Sequence, residues 1–136
     1  MATHKDEEIR SVFEHDPFAI IGCSSTPGKP AHEVPKYLLE QGYEIIPINP
    51  TVEEIFTRPS FDSIGEIEQD FQVLTVFRPS AEVAGIVESV VDPPIIEYLW
   101  LQLGITDPEA IRQARDAGIT VIENQCMKVE HQRLLR

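Results

Sequence analysis

One stretch of small and hydroxyl residues ending in a lysine has the composition of a phosphate-binding loop: Gly22-Cys-Ser-Ser-Thr-Pro-Gly-Lys29. Glycine lets a ligand approach the backbone, hydroxyls donate hydrogen bonds, and the helix that follows directs its N-terminal N–H groups at the same place. We therefore predict phosphate contacts from Gly22, Ser24, Ser25, Thr26 and Lys29. A plain strand-to-helix turn favours the same residue types, so spacing alone leaves that second interpretation open.

Polar residues also follow the other apolar runs. They are Asn49, Pro50, Arg78, Pro79, Ser80, Gln102 and Cys126. Ligands of open parallel sheets bind outside the carboxyl ends of the strands. Together with the loop 22–29, these positions hold two cations, Lys29 and Arg78, and almost no acids, although the chain has 23 acidic against 11 basic residues. This bias predicts a pocket for an anion.

The fingerprint of dinucleotide-binding loops is incomplete in this chain. Ser24 and Pro27 stand at the second and third glycine positions, and Asn49-Pro50 stands where an acid would bind the ribose hydroxyls. Ordinary NAD binding is therefore disfavoured. The missing acid suits a ribose that carries its own phosphate, as in NADP or coenzyme A (CoA).

A parallel sheet is needed to bring these residues together, and the hydrophobic pattern predicts one. Continuous apolar runs alternate with amphipathic stretches, as in strands buried on both faces and joined by right-handed helical crossovers. We predict strands at 18–22, 44–48, 71–77, 95–101 and 119–122. We predict helices at 5–14, at 32–41 with Pro35 in the first turn, at 80–91 with Ser80 as the N-cap and at 128–136, with a short helix at 52–56. A further predicted helix opens at Pro108, after Thr106 and Asp107, and ends at Gly118. The expected fold is α/β: one Rossmann-like doubly wound domain.

Length and composition bound the remaining possibilities. A chain of 136 residues, 42% apolar and 25% charged, suits one globular domain over residues 1–136, with 1–16 as an N-terminal helical extension. A net charge of −12 disfavours nucleic-acid binding. We expect no membrane span, because no apolar run approaches the required length. The polar N-terminus and two distant cysteines lead us to expect a reducing, cytoplasmic location.

The chain from Phe18 to Leu134 resembles the small stand-alone CoA-binding proteins, which are similar to the N-terminal CoA-binding domain of the succinyl-CoA synthetase α subunit. The matching segments are IGCSSTPGKP at 21–30, YLLEQGY at 37–43, IPINP at 46–50, VFRPS at 76–80, LWLQLGI at 99–105 and ENQCMKVEH at 123–131. Two departures are Asn49-Pro50, where the synthetases tend to carry a basic residue, and Thr75, where stand-alone relatives often carry an acid.

The resemblance implies a site for CoA or an acyl-CoA along this edge. It implies phosphates at 22–25, the 3′-phospho-ADP part near Asn49 and Pro50, and pantetheine passing Arg78 toward Trp100 and Gln102. The phosphohistidine of the synthetases lies in a second domain that this sequence does not contain. We therefore expect a carrier, a sensor or an accessory module for an acyl-CoA enzyme, without ligase chemistry or catalytic residues.

Other interpretations remain open at this stage. The chain could be a small NADP-dependent oxidoreductase, or a thiol-redox protein that forms a mixed disulfide with CoA through Cys126. Arg78 could pair with a surface carboxylate, Gln102 could cap a turn, and a buried structural role for Cys126 is favoured over a reactive one. We expect Trp100 in the core and His131 on a helix surface, with no metal site.

Overall fold

A central parallel sheet dominates the computed structural model, which describes residues 6–135. The predicted helix start at Lys5 and helix end at Arg136 lie outside this range. The sheet has five strands in the order β2-β1-β5-β6-β7, and every adjacent pair is parallel. The strands are β1 (Phe18–Ile21), β2 (Ile45–Ile48), β5 (Val73–Val76), β6 (Tyr98–Leu101) and β7 (Thr120–Ile122). All five predicted strands exist, with ends shorter by up to three residues.

Helices cover both faces of the sheet. On one face α1 (Asp6–Val12), α2 (Pro30–Glu40) and α5 (Met127–Leu135) pack on Phe18, Ile20 and Trp100. On the other face α3 (Val83–Glu88) and α4 (Pro108–Asp116) pack on Leu74, Val76 and Leu99. Burial on both sides explains why the strands are continuously apolar. The predicted doubly wound α/β fold is confirmed.

Two prolines and a carboxylate shape the helix starts. Pro30 opens α2, where a missing N–H costs nothing, but Pro35 lies in the second turn rather than the predicted first. At α4, the Asp107 side chain accepts a hydrogen bond from the Ala110 N–H at 3.1 Å, and Pro108 follows it. The helix start that the sequence predicted at Pro108 is therefore present, and Asp107 is its N-cap.

The prediction of a short helix at 52–56 is wrong. The chain instead forms a hairpin of β3 (Glu54–Ile55) and β4 (Arg58–Pro59), with Phe56 and Thr57 at left-handed φ values of 55° and 63°. Ile55 is buried under the hairpin. After the hairpin, Phe61 pairs in parallel with Ile48, so the segment returns to the carboxyl end of β2.

The structure also differs from the predicted helix at 80–91. A 3-10 turn at Ser80–Glu82 precedes α3, which ends at Glu88. The Ser80 hydroxyl caps no helix and instead accepts a hydrogen bond from the Thr106 N–H at 3.0 Å. This bond joins the connection after β5 to the connection after β6.

His131 is buried rather than on a helix surface. It is 5% exposed, and its ring nitrogens lie 2.7 Å from the Tyr37 hydroxyl and 3.1 Å from the Tyr43 hydroxyl. The ring of Phe13 packs edge-on against it. The helical pattern of α5 does not reveal this, because α2 and the residues after α1 cover the histidine. No helix within residues 6–135 is long and apolar enough to cross a bilayer.

We expect Asp107→Ala to lower the free energy of unfolding by about 1 kcal/mol, because it leaves the Ala110 N–H without its cap. Urea denaturation followed by circular dichroism measures the change. Gln113→Ala, at an exposed position of the same helix, is the matched control and should change stability by less than about 0.5 kcal/mol. Equal effects of the two substitutions would refute the capping role.

Candidate functional site

The strand order places a crevice at the carboxyl end of β1. The chain leaves β1 for β2 on one side and later returns to β5 on the other, so the connections diverge there. A groove of about 410 Å³ lies at this point, and we call it the polar groove. Its lining consists of Ile21, Gly22, Ile48, Asn49, Pro50, Thr51, Asp62, Arg78 and Glu82. Four of the predicted site residues are thus together in one groove: Gly22, Asn49, Pro50 and Arg78.

Gly22 is required by a contact within the protein. Its φ is +88°, and a Cβ at this position would lie 2.9 Å from Arg78 Cδ and 2.9 Å from the Phe77 carbonyl oxygen. Residues with a side chain rarely adopt this φ, and a Cβ here would collide with the backbone of Phe77. The glycine therefore lets the stem of Arg78 lie against the end of β1, whereas the sequence suggested only a close approach by a ligand.

Arg78 is paired with a carboxylate that the sequence analysis did not place in the site. Its Nε donates to Glu82 Oε1 at 2.9 Å and its Nη2 donates to Oε2 at 2.7 Å. These bonds hold the pKa of the Glu82 carboxyl below its usual range and raise the pKa of the guanidinium. The structure therefore agrees with the alternative interpretation, in which Arg78 pairs with a surface carboxylate.

Asn49 connects the ends of β1 and β2. Its Nδ2 donates to the Cys23 carbonyl at 2.8 Å, and its Oδ1 accepts from the N–H and the hydroxyl of Thr51 at 2.8 and 2.7 Å. Through these bonds the Asn49 amide holds the loop after β1 next to the loop after β2. Asn49 therefore shapes the polar groove while lining it.

Hydrogen bonds within the loop stabilise the turn that follows β1. Ser24 Oγ accepts from the Thr26 N–H at 3.0 Å, and Ser25, Thr26 and Lys29 are exposed. Near the start of α2, Glu33 Oε2 accepts from the Gly28 N–H at 3.0 Å, and this bond lowers the pKa of the Glu33 carboxyl. An acid therefore already lies close to the helix end that the sequence assigned to a phosphate.

A second groove of about 470 Å³ lies at the other end of this loop, and we call it the apolar groove. Its lining consists of Lys29, Pro30, Ala31, Phe77, Gln102, Leu103, Ile105 and Cys126. Leu103 is 69% exposed at its rim. This groove brings together Lys29, which the sequence assigned to phosphate, with Gln102 and Cys126, which it placed near the pantetheine arm and its thiol.

Several predicted contacts already have structural partners. Gln102 is 4% exposed, and its Oε1 accepts from the Met127 N–H at 3.1 Å at the start of α5. Trp100 is completely buried and its Nε1 donates to the Gln125 carbonyl at 2.9 Å, so its predicted core position is confirmed. A pantetheine path could therefore not run over Trp100 itself. Pro79 is exposed between Arg78 and the 3-10 turn.

The two cysteines differ in burial. Cys23 is buried, and burial raises the pKa of its thiol to about 12. Cys126 is partly exposed in the apolar groove, so the expectation that it is buried is wrong, whereas its packing against the hydrophobic core agrees with a structural role.

Sequence reasoning missed the two acids and the apolar rim of this edge. The expectation of almost no acids is wrong, because Asp62 and Glu82 both line the polar groove. Glu82 lies four residues after Arg78, a spacing that favours ion pairs and offered a signal. Asp62 offered none, since it reaches the groove only because Phe61 pairs with Ile48.

Three comparisons place these features among known proteins. Residues 16–132 match the family described as CoA binding domain. An uncharacterized protein of Bacillus subtilis (strain 168), YneT, is 34% identical over 127 residues, 91% of this chain and 92% of that protein. A solved structure from Thermus thermophilus, cell-free ID.343, has a TM-score of 0.89 and 34% identity over 97% of this chain and 100% of that one.

A longer protein shares part of the chain. The ADP-forming acetate–CoA ligase of Methanocaldococcus jannaschii is 31% identical over 84 residues, which are 62% of this chain but 12% of the ligase. With the family match extending from before β1 into α5, this agrees with the resemblance inferred from the sequence motifs. The chain belongs to the CoA-binding domain family.

Proposed function

We propose that this chain binds CoA or an acyl-CoA along the carboxyl edge of the sheet, as a carrier, sensor or accessory module for an acyl-CoA enzyme. The observation that carries the proposal is the pair of adjoining grooves of opposite character at this edge. Phe77 lines the apolar groove, and the next residue, Arg78, lines the polar groove. The loop 22–29 begins at the polar groove with Gly22 and ends at the apolar groove with Lys29. CoA has the same division, because a phosphorylated nucleotide is joined to a less polar pantetheine arm.

In this arrangement the nucleotide end lies in the polar groove. Arg78 supplies a guanidinium for phosphate, and Asn49, Pro50 and Thr51 line the space beside it. The exposed Ser25 and Thr26, with Ser24, offer further hydroxyls on the connecting loop. The pantetheine arm follows Phe77, Leu103 and Ile105, and Lys29, which lines the same groove, supplies a positive charge for the phosphate joined to this arm. Cys126 marks the end of this path.

An NADP-dependent oxidoreductase is the competing proposal from the sequence. It needs a site for a nicotinamide ring and a hydride acceptor, whereas the second groove is lined mainly by apolar side chains and a thiol. Calorimetric titration with CoA, acetyl-CoA, NADP and NAD at one salt concentration separates the two. We expect micromolar binding of CoA and much weaker binding of NADP. Tighter binding of NADP than of CoA would overturn the proposal.

We expect Gly22→Ala to weaken CoA binding at least tenfold, about 1.4 kcal/mol, because the new Cβ displaces Arg78 from the end of β1. The measurement is the same calorimetric titration on folded variant protein. Gly42→Ala is the matched control: Gly42 has a similar φ of +97°, but a Cβ there meets nothing within 4 Å. Both variants lose stability from backbone strain, so only the loss of affinity distinguishes Gly22. Equal affinity of the two variants would contradict the assigned groove.

Incubation with the symmetric disulfide of CoA tests the thiol-redox alternative. A Cys126 thiolate that attacks this disulfide forms a protein–CoA disulfide and releases one CoA thiolate. At pH 8 the Cys23 thiol stays almost entirely protonated, because burial raises its pKa to about 12. We expect mass spectrometry to detect one CoA adduct per chain, lost in Cys126→Ser and retained in Cys23→Ser. An adduct that survives in Cys126→Ser would rule out this cysteine.

A further inference from the structure

We propose that Glu82 is an internal competitor for the anion site of the polar groove: its carboxylate occupies the guanidinium fork of Arg78, and a ligand phosphate must displace it. The inference rests on the proposed function, because it takes Arg78 as a phosphate contact. It adds a residue that sets the affinity of the site without itself contacting the ligand.

The geometry of the pair is that of a bound anion. Two parallel hydrogen bonds of 2.9 and 2.7 Å join the guanidinium of Arg78 to both oxygens of Glu82. Arginine binds phosphate through the same forked arrangement. A phosphate and the Glu82 carboxylate therefore cannot occupy these two N–H groups together.

The pair lies within the groove and is anchored from both sides. Gly22 fixes the stem of Arg78 against β1, since Arg78 Cδ occupies the space of an absent side chain. Glu82 ends the 3-10 turn, where its N–H donates to the Pro79 carbonyl at 2.8 Å. The Ser80 hydroxyl holds the same turn to Thr106. Neither residue can move far without changing this connection, so exchange must occur by rotation of the Glu82 side chain.

The competition is reversible because the pair is exposed. The side chains of Arg78 and Glu82 are 45% and 47% exposed, and ion pairs in water contribute little to stability. A ligand phosphate that offers two oxygens to the guanidinium can therefore replace Glu82. Ligands without a phosphate at this point leave the pair intact, so Glu82 lowers the affinity only of ligands that bind the guanidinium of Arg78.

The two acids of the groove allow this proposal to be separated from simple charge repulsion. Asp62 lines the same groove with the same charge, but the fork of Arg78 is occupied by Glu82. General repulsion of an anion predicts similar gains from removing either charge. Competition predicts a larger gain in affinity from removing the charge of Glu82 than from removing that of Asp62. It also predicts that this gain occurs only while Arg78 is present.

The experiment compares wild type, Glu82→Gln, Asp62→Asn, Arg78→Gln and the double variant Arg78→Gln/Glu82→Gln. Each is titrated calorimetrically with CoA and, separately, with inorganic pyrophosphate at one low salt concentration. Glutamine keeps the length of Glu82 and one acceptor oxygen, so the arginine keeps its orientation. We expect Glu82→Gln to tighten binding about threefold to tenfold in the Arg78 background, and to change it less than about twofold in the Arg78→Gln background.

A gain from Asp62→Asn equal to that from Glu82→Gln, a gain that persists without Arg78, or no gain at all would overturn the inference. Failure of CoA to bind wild type would refute the proposed function, and the pyrophosphate titrations would then decide this inference alone. If neither probe binds any variant, both proposals are wrong.

Discussion

The parallel pairing of β1 with a neighbour on each side is the constraint from which the site follows. Ile21 is level with Ile48 of β2 and with Val76 of β5, so the three strands end together. The pairing continues past the strand ends, since the Gly22 N–H donates to the Ile48 carbonyl and the Phe77 N–H donates to the Ile21 carbonyl. This register places Gly22, Asn49 and Arg78 side by side. A shift of one residue would turn the side chains of Asn49 and Arg78 to the opposite face.

The carboxyl edge is divided by the same strands into two chemically different grooves. Consecutive residues of an extended chain point in opposite directions, so Phe77 and Arg78 line different grooves after β5. The loop 22–29 crosses between them. An amphipathic ligand is suited to such an edge, because each of its ends finds surroundings of matching polarity.

The electrostatics of the edge are more balanced than the sequence suggested. Each region expected to hold a phosphate already has a carboxylate nearby, with Glu82 on Arg78 and Glu33 on the Gly28 N–H. In a chain of net charge −12, internal acids keep the cationic and N–H groups oriented. A ligand that used these groups would first have to displace the acids, which would lower its net gain in free energy.

Most of the sheet was predictable from the sequence, and most errors have a common origin. Strands buried on both faces are continuous apolar runs, and Asp107-Pro108 identified the start of α4 from local chemistry. The hairpin around Phe56 and Thr57 was missed because two-residue strands have no periodicity, and left-handed residues other than glycine are not visible in a sequence. His131 was misplaced because α5 is covered by elements distant in sequence.

The sequence by itself determined the alternation of strands and helices and the carboxyl ends of the strands to within one residue, and therefore which residues share one edge. It did so because local periodicity and turn chemistry depend on neighbours in the chain. Only the tertiary structure decided that Lys29 and Arg78 belong to different grooves, that Asp62 reaches the first of them, and that Arg78 is already paired. These outcomes depend on side-chain direction and on long-range pairing such as that of Phe61 with Ile48. Neither is encoded in any single stretch of residues.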